Sequence, residues 1–335
     1  MTHSPTTLPR DDSLPRKLTD FVVYFADEAH CAAVLRRWKY GGPFRCPSCG
    51  HDAAWWIESR RLDQCRRCDK QTSLTAGTVM HKSKKPLRTW FLAMYLFIAT
   101  KQGISATALA QQIDISYPTA WLWLHKLRSA LGRRTTAQLR GLVEFDDTWE
   151  GGRDPSLRGR PKVGPRKALV AGAIEWRQPG KGFGRVRLAA LPDGSTEGCA
   201  PFLEEHVAPG STLLTDDWRS YREAARAAGL KHIATNISKC PQKAHEVLPG
   251  VHRVFSLMHR VLLTTYQGAV STKHLHAYLA EIEFRFNRRL SKYRGLLFQR
   301  VLSCAVLGTP PTYAEITHGQ PAYARRRREP GPELS

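Results

Sequence analysis

Residues 142–152 read Leu-Val-Glu-Phe-Asp-Asp-Thr-Trp-Glu-Gly-Gly, and residues 213–221 read Leu-Leu-Thr-Asp-Asp-Trp-Arg-Ser-Tyr. In both stretches a short apolar run, typical of a strand, is followed directly by two aspartates. Between and after these two stretches, the pattern of apolar residues predicts strands at 168–174, 186–191 and near Ile233. It also predicts helices at 196–206 and through Tyr221 and Ala225. Alternating strands and helices predict an α/β domain over residues 140–295.

Asp146 and Asp216 follow the two apolar runs directly, so we expect them at strand ends in one sheet. A single aspartate in that position is more often a turn or helix-cap residue. Two together fit phosphodiester cleavage, in which carboxylates on rigid elements hold divalent ions ~3.5–4 Å apart. The pair therefore suggests a catalytic metal site.

A second motif consists of two CxxC pairs, Cys46 with Cys49 and Cys65 with Cys68, separated by fifteen residues. This spacing predicts a zinc ribbon, because each pair supplies two thiolates to one tetrahedral ion. Four cysteines leave no open coordination position, so the zinc is expected to be structural. DNA contact by the ribbon's arginines is a weaker hypothesis, since such charges are usually just solvated: Arg60, Arg61, Arg66 and Arg67.

Residues 104–113 and a helix capped by Ser116 have the spacing of a helix-turn-helix. In such a unit the second helix enters the major groove. It would present Tyr117 and Thr119 to the bases, with Lys126 and Arg128 near the phosphate backbone. A packed helical hairpin has the same pattern, and the positive charge of the chain favours the DNA-binding interpretation.

The whole chain has 335 residues and a net charge of +22, which suits a polyanionic partner. The longest apolar stretch, 90–100, is about half the ~20 residues that span a bilayer, so we expect a buried helix and no membrane association. No secretion signal is recognisable, and the four remaining cysteines are scattered. We therefore expect a cytoplasmic, nucleoid-associated protein whose partner is double-stranded DNA.

Four ordered motifs, at 143–152, 214–221, 251–257 and 278–289, resemble those of zinc-ribbon insertion-sequence transposases related to the Merlin elements. The resemblance covers about residues 20–295. It implies an RNase H-like domain of the DDE class, in which Asp146, Asp216 and His252 bind catalytic Mg²⁺ or Mn²⁺. It further implies binding of the element ends and of target DNA, and we expect a homo-oligomer on DNA.

His252 falls on a helix predicted over 251–263, where it shares a face with Ser256 and His259. The family commonly has lysine at position 259 for a phosphate contact, and histidine would weaken that contact. Two alternatives to an active transposase therefore stay open: a catalytically impaired DNA-binding regulator and a metal-dependent nuclease. Rival third acids, ranked below His252, are Glu246, Glu281 and Glu283.

Further positive charges would line a DNA path together, although each alone is usually a solvated charge run. They are Arg285, Arg288 and Arg289, the loop 158–167 and the tail 325–328.

The predicted organisation is multidomain: a zinc ribbon plus helix-turn-helix, then an α/β RNase H-like domain. Its parts are an unstructured segment 1–18, helix and ribbon 19–80, a helical DNA-binding region 81–135, the catalytic domain 140–295, and a C-terminal extension 296–335.

Overall fold

The computed structural model describes residues 14–41, 43–132, 137–151, 167–177, 182–241, 243–268, 270–291, 294–307 and 311–318. The chain divides into two compact units, residues 1–134 with 290–313 and residues 135–289 with 314–335. Three predictions fall wholly or mostly outside the described residues: the unstructured segment 1–18, the basic loop 158–167 and the basic tail 325–328.

The strands are β1 Ala54–Ile57, β2 Leu62–Cys65, β3 Gln71–Ser73, β4 Leu142–Glu150, β5 Ala168–Trp176, β6 Phe183–Leu191, β7 Thr212–Asp216 and β8 Lys231–Thr235. The helices are α1 Leu18–Tyr24, α2 Glu28–Tyr40, α3 Leu87–Ala99, α4 Ala106–Ile113, α5 Tyr117–Gly132, α6 Thr196–His206, α7 Arg219–Ala227, α8 Ala244–Val247, α9 Pro249–Thr264, α10 Thr272–Asn287, α11 Arg294–Leu307 and α12 Tyr313–Thr317. The helices predicted at 196–206 and 251–263 are confirmed as α6 and α9.

The first unit is a helical core with a three-stranded antiparallel sheet, β1-β2-β3. Its centre is aromatic: Trp90 of α3 stacks on Trp123 of α5 with ring centroids 3.7 Å apart. Helix α11 packs against α3 and α5, and its Phe298 contacts Phe91. The predicted boundary at residue 295 therefore differs from the structure, because the apolar side of α11 completes the core of the first unit.

Helices α4 and α5 are joined by the three residues 114–116. Ser105 caps α4 by accepting a hydrogen bond from the Ala108 N–H at 3.1 Å. Asp114 ends that helix in the left-handed conformation, with φ of 51°. The two predicted helices are thus confirmed, with α4 starting two residues later than Ile104.

The second unit is built on a five-stranded sheet in the order β6-β5-β4-β7-β8. Strands β4, β5 and β6 pair antiparallel, whereas β7 and β8 run parallel to β4. Because side chains alternate along a strand, each face has its own core. Val143, Phe145 and Leu213 pack with α6 and α7 on one face, and α9 and α10 cover the other.

Strand β4 is longer than predicted. The sequence placed the strand end at Phe145, but β4 pairs with β5 as far as Glu150 opposite Ala168. Asp146 therefore lies in the middle of a strand, whereas Asp216 is the last residue of β7, as expected. In the part of the chain that is described, no helix has the length and apolar character needed to cross a membrane.

Candidate functional site

Asp146 and Asp216 lie on neighbouring parallel strands at the same level of the sheet. The last pair of the two strands is Glu144 with Leu214, and Asp146 and Asp216 each stand two residues beyond it. Both aspartates project to the face covered by α9, since Leu214 packs into the core on that face. Each is partly buried. The two parallel strands thus carry a carboxylate each at equivalent positions on the face covered by α9.

Helix α9 brings an imidazole to this pair. His252 Nε2 lies 3.4 Å from Asp146 Oδ2, and within the described structure this buried nitrogen makes no hydrogen bond. Burial lowers the pKa of His252, assisted by the charge of His245 and opposed by that of Asp216. A lowered pKa favours the neutral imidazole, which is the form that binds metals.

The three predicted ligands are close but do not form one tight group. Among the described residues, the four ribbon cysteines are the one set of three or more potential ligands with all ligand atoms within 4.8 Å of one another. The structure therefore brings Asp146 and His252 into direct proximity and places Asp216 on the adjacent strand, at a wider spacing.

The aspartates that follow each predicted ligand have structural partners instead. Asp147 Oδ2 accepts a hydrogen bond from the Tyr221 hydroxyl at 2.7 Å, on the face opposite α9. Burial and the nearby Asp147 carboxylate raise the pKa of Tyr221, so its hydroxyl stays a donor. Asp217 is exposed and accepts from Asn236 Nδ2 at 3.0 Å and Arg222 Nη2 at 3.3 Å.

Sequence reasoning gave no role to Glu144, which anchors the start of α9. Its side chain is fully buried, and its two oxygens accept from the Val251 N–H and Trp176 Nε1, each at 2.8 Å. Burial raises the pKa of Glu144, against the lowering effect of these donors. An acid at a buried position of a strand was the signal that could have identified it.

Gly172 of β5 was also missed, and it decides how closely α9 approaches the sheet. It lies directly opposite Asp146 in the β4–β5 register. A Cβ at this position would lie 2.7 Å from Cε1 of Phe255 and 3.1 Å from Cγ2 of Val251, both on α9. The missing side chain lets α9 sit where His252 meets Asp146.

A second carboxylate–imidazole pair lies further along the same two elements. His259 Nε2 is 3.4 Å from Glu150 Oε2, and both atoms are buried without a hydrogen bond in the described structure. Burial raises the pKa of Glu150, and the charge of His259 opposes this. A phosphate at His259, the predicted auxiliary contact, would meet this carboxylate.

The rival third acids already have partners within the fold. Glu246 is exposed and accepts from the Lys243 N–H at 2.8 Å in the cap of α8. Glu281 binds Arg285 at 2.7 Å, and Glu283 binds Arg187 at 2.7 Å. These contacts agree with the lower rank that the sequence gave to all three acids.

The predicted DNA contacts of the helical region divide into exposed and buried residues. Tyr117 is 54% exposed, whereas Thr119 is half-buried and its hydroxyl lies 2.9 Å from that of Ser116. Lys126 is half-buried, and burial lowers its pKa. The placement of Arg128 near the DNA backbone was wrong: it is 2% exposed, because it stands one turn from the buried Leu124 on the packed side of α5.

The three arginines near the end of α10 stabilise their own unit. Nε and Nη2 of Arg285 both donate to Glu281 Oε1, and Arg288 lies 4.1 Å over the ring of Phe284. Arg289 donates to backbone carbonyls, including that of Gly184 at 3.0 Å. Their predicted DNA contacts therefore compete with internal partners.

The ribbon cysteines have the geometry of a zinc site. The Sγ atoms of Cys46 and Cys68, and those of Cys49 and Cys65, are 3.6 Å apart. Tetrahedral Zn–S bonds of ~2.3 Å give S···S separations of about 3.8 Å. The backbone N–H of Ser48 donates to Cys46 Sγ, and that of Arg67 donates to Cys65 Sγ, each at 3.4 Å. The four residues therefore fit a structural zinc ion.

Comparisons with known proteins find matches in both units. Residues 26–71 match the transposase zinc-ribbon domain, and residues 138–287 match the ISXO2-like transposase domain. A relative described as an uncharacterized protein in transposable element ISH50 of Halobacterium salinarum is 30% identical over 147 residues. That match covers 43% of this chain and 48% of the relative, so the chain spans about half of its length.

Two solved structures are similar at low identity. A pre-cleavage Mos1 transpososome has 12% identity and a TM-score of 0.27, covering 65% of this chain and 78% of that one. A simian T-cell lymphotropic virus intasome in complex with PP2A regulatory subunit B56 gamma has 13% identity and a TM-score of 0.25, covering 69% and 74%.

The two matched domains occur in the order that the sequence motifs predicted, ribbon first. The chain therefore carries a transposase zinc-ribbon domain followed by an ISXO2-like transposase domain. Over these two matched regions, the resemblance to zinc-ribbon insertion-sequence transposases that the motifs indicated is confirmed.

Proposed function

We propose that this chain is an insertion-sequence transposase that binds its element ends and catalyses divalent-metal-dependent DNA cleavage and strand transfer. The observation that carries the proposal is the alignment of Asp146 and Asp216 on adjacent strands, with His252 against Asp146. The sheet supports an RNase H-like domain, since three antiparallel strands are followed by two that run parallel to the first. Such a role places the protein at the nucleoid.

The donor set fits a divalent ion. Asp146 and Asp216 supply carboxylates, and His252 supplies a buried nitrogen that has no hydrogen bond in the described structure. Oxygen ligands suit Mg²⁺ and Mn²⁺, and a neutral imidazole suits Mn²⁺ better than Mg²⁺. When bound, the ions would activate the attacking oxygen and stabilise the leaving oxygen. The chain itself holds the three side chains on a rigid strand pair and a packed helix.

DNA binding is proposed for the first unit. The three-residue connection between α4 and α5 supports a helix-turn-helix, and the exposed Tyr117 and the half-buried Thr119 lie at the start of α5. A second helix entering the major groove would present these two residues to base edges. We further propose that the protein acts as a homo-oligomer, because both ends of an element must be cut and joined together.

The test compares each proposed metal ligand with the aspartate that directly follows it in the chain. Asp146→Asn and Asp216→Asn remove charge from the proposed metal site, so cleavage and strand transfer should fall by at least about 100-fold, with DNA binding unchanged. Asp147→Asn is the matched control, because asparagine still offers an oxygen to the Tyr221 hydroxyl. Asp217→Asn serves in the same way for Asp216. Equal loss in ligand and control variants would refute the assignment.

A strand-transfer assay with Mg²⁺ or Mn²⁺ separates the proposal from its alternatives. A transposase joins a labelled repeat-end oligonucleotide to plasmid DNA, a nuclease only cleaves it, and a regulator only binds it. The proximity of His259 to Glu150 is the observation that favours an impaired regulator, since it opposes a phosphate contact there. His252→Ala should be inactive, whereas His252→Glu supplies an oxygen ligand and should retain activity. Glu246→Gln should be nearly silent.

A further inference from the structure

Within the part of the chain that the structure describes, one face of the zinc ribbon's sheet carries exposed side chains, unlike its other face. Trp55, Gln64 and Gln71 stand in register across β1, β2 and β3. We call these three residues, together with Arg66, the ribbon face. Trp55 is 58% exposed, a large fraction for the bulkiest apolar side chain.

The opposite face is fully used in packing. Asp63 lies between Trp56 and Thr72 in the register and is completely buried. Arg36 and Tyr40 of α2 bind its carboxylate at 2.7 and 2.8 Å. Helix α2 therefore holds the sheet from behind, and Trp55 is not needed for that packing.

The side chains on the ribbon face are held in order by one another. Gln71 Nε2 donates to Gln64 Oε1 at 3.1 Å, and Gln64 Nε2 donates to Asp69 Oδ1 at 3.1 Å. The guanidinium of Arg66 lies 3.9 Å over the Trp55 ring. Such mutual contacts reduce the conformational entropy that these side chains lose on binding a partner.

The charge around this face fits a polyanion. Arg66, Arg67 and Lys70 are all exposed on the second cysteine knuckle, against one acid, Asp69. Glutamine bonds adenine and arginine bonds guanine in the major groove, and an apolar side chain contacts the thymine methyl group. Strands ~4.8 Å apart give a three-stranded face about 10 Å wide, which is close to the ~12 Å width of that groove.

We propose that the ribbon face binds the major groove of the element-end duplex and contributes to its recognition. Trp55 and the two glutamines contact base edges, and Arg66 contacts a base or a neighbouring phosphate. The inference rests on the proposed function, because it assumes that the chain binds element ends. It assigns sequence-dependent contacts to a domain whose zinc is otherwise purely structural.

The experiment measures binding of the full-length, zinc-loaded protein by fluorescence anisotropy. The probes are a duplex containing the terminal inverted repeat that flanks the gene, a shuffled duplex of equal length, and the single strand of the repeat. Trp55→Ala and Arg66→Gln should weaken repeat binding roughly 10- to 100-fold and reduce the preference over the shuffled duplex. Arg66→Gln should also reduce the slope of log affinity against log salt by about one if it contacts phosphate.

Arg37→Gln is the matched control, because Arg37 is exposed on α2, the helix behind the sheet, and its loss removes the same charge away from the ribbon face. It should leave repeat binding within about twofold of wild type. Metal analysis of each variant checks that zinc is retained. If Trp55→Ala loses zinc, Gln71→Ala tests instead whether the ribbon face contributes to repeat binding. The Gln71 side chain is exposed and lies outside the cysteine cluster.

The outcomes separate the inference from the proposed function. A wild-type protein that does not prefer the repeat duplex to the shuffled one would contradict the proposed function itself. Wild-type preference that survives in all the ribbon-face variants would overturn only the inference. Tighter binding of the single strand, lost in Trp55→Ala, would also overturn it, because the ring would then stack on unpaired bases.

Discussion

Gly172→Ala tests whether the close seating of α9 on the sheet creates the proposed site. The new Cβ would lie 2.7 Å from Cε1 and 2.9 Å from Cζ of Phe255, whereas carbon atoms in contact prefer about 3.5–4.0 Å. Relief of this overlap requires a shift of roughly 1 Å in a ring that is only 4% exposed. The helix must therefore move away from β5, and His252 moves with it.

Two consequences of this shift can be measured. Overpacking a buried site costs about 1–3 kcal/mol, which corresponds to a melting temperature lowered by roughly 2–12 °C for a unit of this size. A displacement of 1 Å in a reacting group can cost about 100-fold in rate. Thermal unfolding and a strand-cleavage assay in Mn²⁺ should therefore both show a loss.

The double variant Gly172→Ala with Phe255→Leu is the control, because the smaller side chain removes the overlapping ring atoms. It should recover part of the cleavage activity, so that the two substitutions are non-additive. Wild-type stability and wild-type cleavage in Gly172→Ala alone would refute the argument that this glycine sets the distance between α9 and the sheet.

Three further predictions follow from other contacts. Glu144→Gln should lower stability by about 1–3 kcal/mol in a thermal or urea unfolding measurement, because glutamine has one acceptor oxygen for the two donors that Glu144 satisfies; an unchanged midpoint would contradict this. The purified chain should contain about one zinc ion, and Cys46→Ser should lose it and destabilise the first unit, so metal analysis without zinc would disprove the ribbon. DNA affinity should fall steeply with salt, as the +22 charge indicates, and a flat titration would count against a phosphate-dominated interface.

Much of the secondary structure was predictable because it follows local patterns. The start of α4 was predicted to within two residues, and the positions of α6 and α9 were predicted closely. Helix α1 was not predicted, since its exposed Val22 and Val23 give it no clean apolar stripe. The place of α11 in the first unit could not be predicted either, because it depends on packing against α3, about two hundred residues earlier in the chain.

The candidate site was predictable in its residue types and less so in its supports. Motif resemblance suggested Asp146, Asp216 and His252, and the fold brings their elements together. The roles of Glu144 and Gly172 could not be derived, because each depends on the distance between a strand and a helix about eighty to one hundred residues away. The prediction that Arg128 contacts the DNA backbone was wrong for a related reason. It was based on the charge of the side chain, although this position of the helix faces inward.

Strand geometry also decides a choice that the sequence leaves open, namely which aspartate of each Asp-Asp pair faces the proposed site. Successive side chains of a strand point to opposite faces, so on β4 only one member of the pair can face α9, while Asp217 lies beyond the last residue of β7. On β4 that member is Asp146, because its neighbour Asp147 accepts the Tyr221 hydroxyl on the far side. On β7 it is Asp216, which shares the side of Leu214. The doubled aspartates thus have divided roles: the first of each pair faces α9, and the second fixes α7 or the segment after β8.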